Sequence, residues 1–295
     1  MSAAAPTANG STQTSGAPKG ILLLLLVPGL LALIITFVLP LIWLFRASFA
    51  TSTMSALSGG NWTLQSYSTV VFDPFYWRIA GNTLVLGFNV AIFAVILSYP
   101  IALFLARTQS RWRGVLTALA VAPLLTSSVV RTYGWMVILG DKGVINSTLQ
   151  SLNITDSVIR LTNNSFGATV ALVEILMPYA ILAMLSGFGR LNVQLEEAAA
   201  MLGANRFKVF TRIVLPLSLP GVLTAALLVF VLAISAFVTP RLMGGGRVFV
   251  LGTEVFNEAT VTLNWPLAAA LSVMLLALFS SIIVVYQRAL RALEA

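Results

Sequence analysis

Side chains that perform covalent or metal chemistry are scarce in this chain. Neither Cys nor His occurs among its 295 residues. That excludes disulfides, thiolate or imidazole metal sites, and Ser-His or Cys-His nucleophile pairs. Among the acids that remain, Glu174 is the one placed inside a long apolar stretch, Ser165 to Gly189. A carboxylate in such a setting is costly enough to be a functional candidate by default. Pro178 follows four residues later and carries no N–H, so in a continuous helix the Glu174 carbonyl loses its usual donor. A carboxylate and a free carbonyl at one position suit a relay for cations, and the proline suits a hinge. The alternative is that Glu174 pairs with Arg131, or with a residue of a partner chain, and only fixes packing. Tyr133, Trp135, Tyr179 and Phe237 are candidates for lining the same path, since a cation over an aromatic face gains roughly 0.5–2 kcal/mol. They are equally suited to an aromatic belt at a membrane surface.

A second group of residues lies between apolar runs. From Glu197 the chain reads Glu-Ala-Ala, three residues, Gly203, nine residues, Ile213, one residue, Leu215-Pro216. The first part predicts a short helix: Asn192 suits an N-cap, Glu196 and Glu197 lie near the positive end of the dipole, and Ala198 to Ala200 are strong helix formers. Gly203 ends or bends it, because glycine takes a left-handed C-terminal conformation without steric cost. Pro216 sits near the opening of the next apolar run, where its missing N–H costs little. Periodicity alone leaves open that this is an interfacial helix lying on lipid headgroups.

The elements that must hold these residues are membrane spans. Hydrophobic residues make up 58% of the chain and charged ones 9%, against roughly 25% charge in an average soluble domain. The apolar runs exceed the ~20 residues needed to cross a bilayer. Six spans are expected, at about 20–45, 79–106, 114–140, 165–189, 213–240 and 259–286. The first run is too long, and lacks the cleavage site, for a signal peptide. Residues 1–20, rich in Ser, Thr, Ala and Gly, are expected to be a disordered cytoplasmic tail. The net charge of +8 comes from cations clustered at the ends of the runs. Arg107, Arg111 and Arg113, then Arg190, Arg206, Lys208 and Arg212, mark two cytoplasmic loops and put both termini on the cytoplasmic side. No basic stripe with interleaved aromatics offers a platform for nucleic acid.

The spacing from Glu197 to Pro216 resembles the signature of permeases in binding-protein-dependent ABC importers, and Glu197, Ala198, Ala199, Gly203, Ile213, Leu215 and Pro216 meet it in full. The resemblance implies an all-α fold of the type I importer permease with six transmembrane helices, residues 21–295 forming the transmembrane domain. It also implies a coupling helix at about 192–204, seated in a cleft of an ATP-hydrolysing subunit. Val130 to Trp135, Leu139 to Asn146, Pro220-Gly221 and Ala236 to Gly245 resemble the polyamine type, which carries spermidine and putrescine.

The implied partners are two ATPase subunits, a second and different permease, a periplasmic substrate-binding protein, and membrane lipid. The implied location is the bacterial inner membrane. No cofactor is expected in this chain, ATP and Mg²⁺ belonging to the ATPase, and no catalysis. Two alternatives remain open. One is an importer permease for a phosphonate, an amino acid derivative or ferric iron, with Arg131, Arg241 and Arg247 favouring an anion. The other is an ATP-independent secondary transporter, for which inverted repeats and coupling-ion sites are expected.

Overall fold

The computed structural model describes residues 19–58 and 61–294. The tail expected over 1–20 lies, up to residue 18, outside the described residues, and the first helix begins at Lys19. The chain divides into two units, Met1–Arg46 and Ala47–Ala295.

The described residues of the first unit are helical. α1 (Lys19–Leu33) passes through a π turn (Ile34–Val38) into α2 (Leu39–Ala47). The segment Leu26–Ala47 is long and apolar enough to cross a membrane. Its π turn has a cause in the sequence. Pro40 has no N–H and its ring would collide with the carbonyl four residues back, and an i→i−5 bond from Leu39 N–H to the Ile34 carbonyl widens the helix just ahead of it.

The second unit begins with two short helices, α3 (Thr53–Ser58) and α4 (Gln65–Phe72). Asp73 then accepts from Phe75 N–H and caps α5 (Pro74–Arg107), whose 34 residues extend about 50 Å. α6 (Arg113–Val121) runs into a 3₁₀ turn (Ala122–Leu125), and α7 (Ser128–Leu139) and α8 (Val144–Ser151) follow. The third expected span is therefore a broken one, bent by 91° between Leu125 and Ser128. Pro123 stands at the break, where the ladder of helical bonds loses a donor.

Asn164 caps α9 (Ser165–Gly187) by accepting from Gly167 N–H. After the loop described below come α11 (Arg206–Val209), a π turn (Phe210–Val214) and α12 (Leu215–Ser235), which together form one span of 30 residues. α13 (Val238–Met243), α14 (Leu251–Thr260) and the long α15 (Trp265–Glu294) complete the unit. Among the described residues five helices are long and apolar enough to span, six with the bent pair counted as one.

The centre of the unit is the contact of α5, α9 and α12. Ala94 and Ala102, Ala180, and Ala225 and Ala233 are buried there, along with Val90, Leu172, Met184 and Val229. Small residues matter because lipid tails are as apolar as leucine, so helices gain mainly from close van der Waals approach. Backbone approaches backbone where α9 meets α12. A Cβ on Gly187 would fall 2.4 Å from the Gly221 Cα, inside any real contact.

The span starting at Arg206 differs from the expected start at 213. Pro216 consequently lies ten residues inside the helix instead of at its mouth. The π turn absorbs the cost, with Leu215 N–H bonding the Phe210 carbonyl, as Leu39 bonds Ile34 before Pro40.

Candidate functional site: a presented loop and an acidic chamber

Two places in the second unit gather the residues with chemistry. The first is the loop between α9 and α12. A 3₁₀ turn (Phe188–Arg190) leads to Asn192, whose Oδ1 accepts from Gln194 N–H at 2.9 Å and starts α10 (Val193–Met201). The helix ends in paired bonds, Gly203 N–H to the Ala200 carbonyl and Ala204 N–H to the Ala199 carbonyl, both 3.0 Å, with Gly203 at φ +82°. Asn205 then caps α11 by accepting from Lys208 N–H at 2.8 Å. Two caps and a left-handed glycine thus fold a short loop into a defined shape.

None of the seven motif positions is buried. Glu197, Ala198, Gly203, Leu215 and Pro216 are exposed, while Ala199 and Ile213 are half-buried. Beside them Met201 is 91% exposed, Leu202 89% and Phe207 74%. Apolar side chains that open at a polar turn form a surface built for contact. Sequence reasoning assigned the contact to Glu197 and the alanines and missed these three. A signal existed, since Met-Leu directly before a C-terminal glycine has no core to enter. Glu196 is turned inward and bonds Arg107 at the end of α5, at 2.5 Å.

The second place is a chamber of about 600 Å³ walled by α5, α7 and α9. Asn89, Phe93 and Leu97 come from α5, Trp135 from α7, and Thr169 and Glu174 from α9. Glu174 Oε2 accepts from Trp135 Nε1–H at 3.3 Å, and its Oε1 accepts from Arg131 Nη1 at 3.4 Å. Both bonds are long, and a third of the carboxylate side chain stays exposed, whereas Arg131 is mostly buried. The Arg131 Nε is buried and has no partner among the described residues. A smaller cavity of about 120 Å³ shares Asn89, Ser165 and Thr169 with the chamber and ends at Asn82 and Arg247. Asn82 donates to the Phe249 carbonyl at 3.3 Å there. Polar side chains therefore lead from the loop after α13 toward Glu174. Asn82, Asn89 and Thr169 were not singled out in the sequence, because an uncharged polar residue within an apolar run carries no signal of its own.

Of the other path candidates, Trp135 joins Glu174, but Tyr133, Tyr179 and Phe237 do not line the chamber. Tyr133 is 53% exposed on α7. Phe237 stacks on Phe256 at 5.2 Å, and Arg241 lies 4.3 Å over the Phe256 ring. That stack occupies Arg241, and Glu174 partners Arg131.

The match to the family model "Binding-protein-dependent transport system inner membrane component" spans residues 98–295, which takes in the loop and the chamber walls of α7 and α9. The chain belongs to this family. It is a multi-pass inner-membrane transport subunit with an importer permease fold. The permease protein PotB of a spermidine/putrescine transport system in Haemophilus influenzae is 34% identical over 89% of this chain and 91% of its own length. PotB of Escherichia coli K12 is 32% identical over 87% and 93%. Among solved structures, a bacterial ABC transporter involved in import of the acidic polysaccharide alginate aligns over 93% of this chain and 96% of its own, with a TM-score of 0.70 and 16% identity. That likeness speaks to the fold alone.

Proposed function

We propose that this chain is the permease subunit of an ATP-driven polyamine importer, working by alternating access with a second, different permease. Two ATPase subunits, which hold the ATP and Mg²⁺, sit below it at the cytoplasmic face, and a periplasmic binding protein delivers spermidine or putrescine from above. Both termini are cytoplasmic, in keeping with the cations at Arg107, Arg206, Lys208 and Arg288. α10 is the coupling helix. Its support is the exposure of Glu197, Met201, Leu202 and Phe207 at the end of the bundle. Glu197 offers a carboxylate to an Arg or to backbone donors of the ATPase, Met201 and Leu202 offer apolar contact, and Gly203 turns the chain back to the membrane.

The observation that carries the cargo assignment is Glu174. It faces a chamber whose walls are mainly apolar and aromatic, and it is held there by two long bonds that a primary ammonium group can replace. An alkyl chain separating ammonium groups matches such walls, with Trp135 and Phe93 offering faces to a cation. The likeness to PotB supports the same reading. Of the three cations that would favour an anion, Arg131 bonds Glu174 and Arg241 stacks on Phe256, which leaves Arg247 in the smaller adjoining cavity.

The test is uptake of labelled spermidine by proteoliposomes holding the full complex. Glu174→Gln removes the charge and keeps the shape, so uptake should fall at least about tenfold, in line with the loss of a buried charged hydrogen-bond partner, while the ATPase stays bound. Unchanged uptake would refute the role of Glu174. Equal loss of uptake and of ATPase would assign it to packing.

A further inference from the structure

Between its two chain ends the loop that presents α10 meets the bundle through apolar packing of Phe188 and Leu191 and through one ion pair among the described residues. Arg107, the last residue of α5, donates from Nη2 to Glu196 Oε1 in the first turn of α10. The pair is partly shielded, its side chains 35% and 19% exposed. Each residue has a reason to exist without the other. Arg107 suits a cytoplasmic helix end, and Glu196 suits the positive end of a helix dipole. Neither reason requires the bond between them.

The remainder of α5 gives that bond a use. Leu97, Phe93 and Asn89 all line the Glu174 chamber, and at 1.5 Å per residue they lie about 15, 21 and 27 Å along the helix from Arg107. Between the two ends α5 is clasped to its neighbours. Ser98 Oγ donates to the Met177 carbonyl at 3.3 Å, and the Tyr99 hydroxyl bonds Ser218 Oγ at 3.0 Å. Pro100 follows at once and removes one rung of the helical ladder. α5 therefore has an end tied to the presented helix, a clasp to α9 and α12, and a far arm that forms the chamber wall.

We propose that the Arg107–Glu196 pair is the strut that carries displacement of α10 into α5, so that the chamber wall at Leu97, Phe93 and Asn89 moves when the ATPases close. This rests on the reading of α10 as the ATPase dock. Arg107 and Glu196 are positioning residues, acting on the cargo through the helix between them. The contacts from α10 through Arg107 and the Ser98–Tyr99 clasp to the chamber wall are contiguous, and chains of packed and hydrogen-bonded side chains are one route by which distant sites couple.

Charge exchange separates the strut from the single-residue roles. Arg107→Glu and Glu196→Arg each break the bond, whereas the double exchange restores it with both topology and dipole preferences reversed. In the reconstituted full complex each single variant should retain the ATPase on purification, lose stimulation of ATP hydrolysis by the loaded binding protein, and take up spermidine about tenfold more slowly. The double exchange should recover at least about half of native uptake. The strut is overturned if the single variants transport within about twofold of the native chain, if the double exchange does no better than the worse single, or if the single variants shed the ATPase. Failure of the underlying dock reading is seen separately, as retention of the ATPase by Leu202→Asp.

Discussion

Glu174 and Glu254 are both carboxylates withdrawn from bulk water, and their surroundings put them to different uses. Glu174 opens into a chamber, where an indole and a guanidinium hold it through long bonds and a third of its side chain stays exposed. Glu254, on α14 outside the spans, is 7% exposed, with Glu258 one turn later at 8%. Burial, and then the Glu258 charge, raise the Glu254 carboxyl above its ordinary 4.5, against a smaller lowering by its bond to Asn257. Because the folded value is raised, the stability this group contributes is complete below 4.5 and is lost as pH climbs through the raised value. Glu254→Gln is neutral at every pH. Its melting temperature should therefore exceed that of the native chain at neutral pH, by about 2–4 °C if roughly 1 kcal/mol is relieved, and the gap should close on acidification. A thermal-shift series across pH decides this, and a gap independent of pH would refute the buried-charge account.

At the scale of elements, the short loop between α9 and α12 was legible because its signals are local. An Asn cap, an alanine run and a glycine specify α10 with little help from tertiary contacts, and the helix at 193–201 lies inside the expected 192–204. The span boundaries were less legible. Pro216 reads as a helix opening, yet the π turn at 210–214 lets the helix start at Arg206 and pass through the proline. Pro123 can interrupt a helix, but a 91° bend between Leu125 and Ser128 depends on what surrounds it. The chamber was half legible: one acid in an apolar run gave Glu174, whereas its link to Asn89 and Thr169 arises only from the packing of α5 on α9. That packing belongs to a bundle in which the backbones of Gly187 and Gly221 all but touch. Gly187→Val should force α9 from α12 and cost about 1–3 kcal/mol or more, seen as a lower melting temperature in detergent; no loss would show that the crossing is looser. Gly203→Val acts differently. At φ +82° with open space around it, valine strains only the turn, by about 1–2 kcal/mol, so binding of the ATPase should weaken and the melting temperature of the isolated permease should fall by about 2–4 °C for each kcal/mol of strain.

For the whole molecule, the parts form one line of action. α10 offers Met201, Leu202 and Phe207 outward, Glu196 grips Arg107, α5 runs to the chamber, and Glu174 waits there with Trp135. Family membership accounts for the fold and for the transport role. The cargo and the direction of force rest on the residues along that line. The most direct measurement is spermidine accumulation in proteoliposomes containing this chain with its second permease, ATPases and binding protein, comparing the native chain with Leu202→Asp. The account predicts accumulation that requires ATP in the native complex, and loss of both accumulation and bound ATPase in Leu202→Asp. Accumulation that proceeds without ATP, or that survives Leu202→Asp with the ATPase still in place, would contradict it.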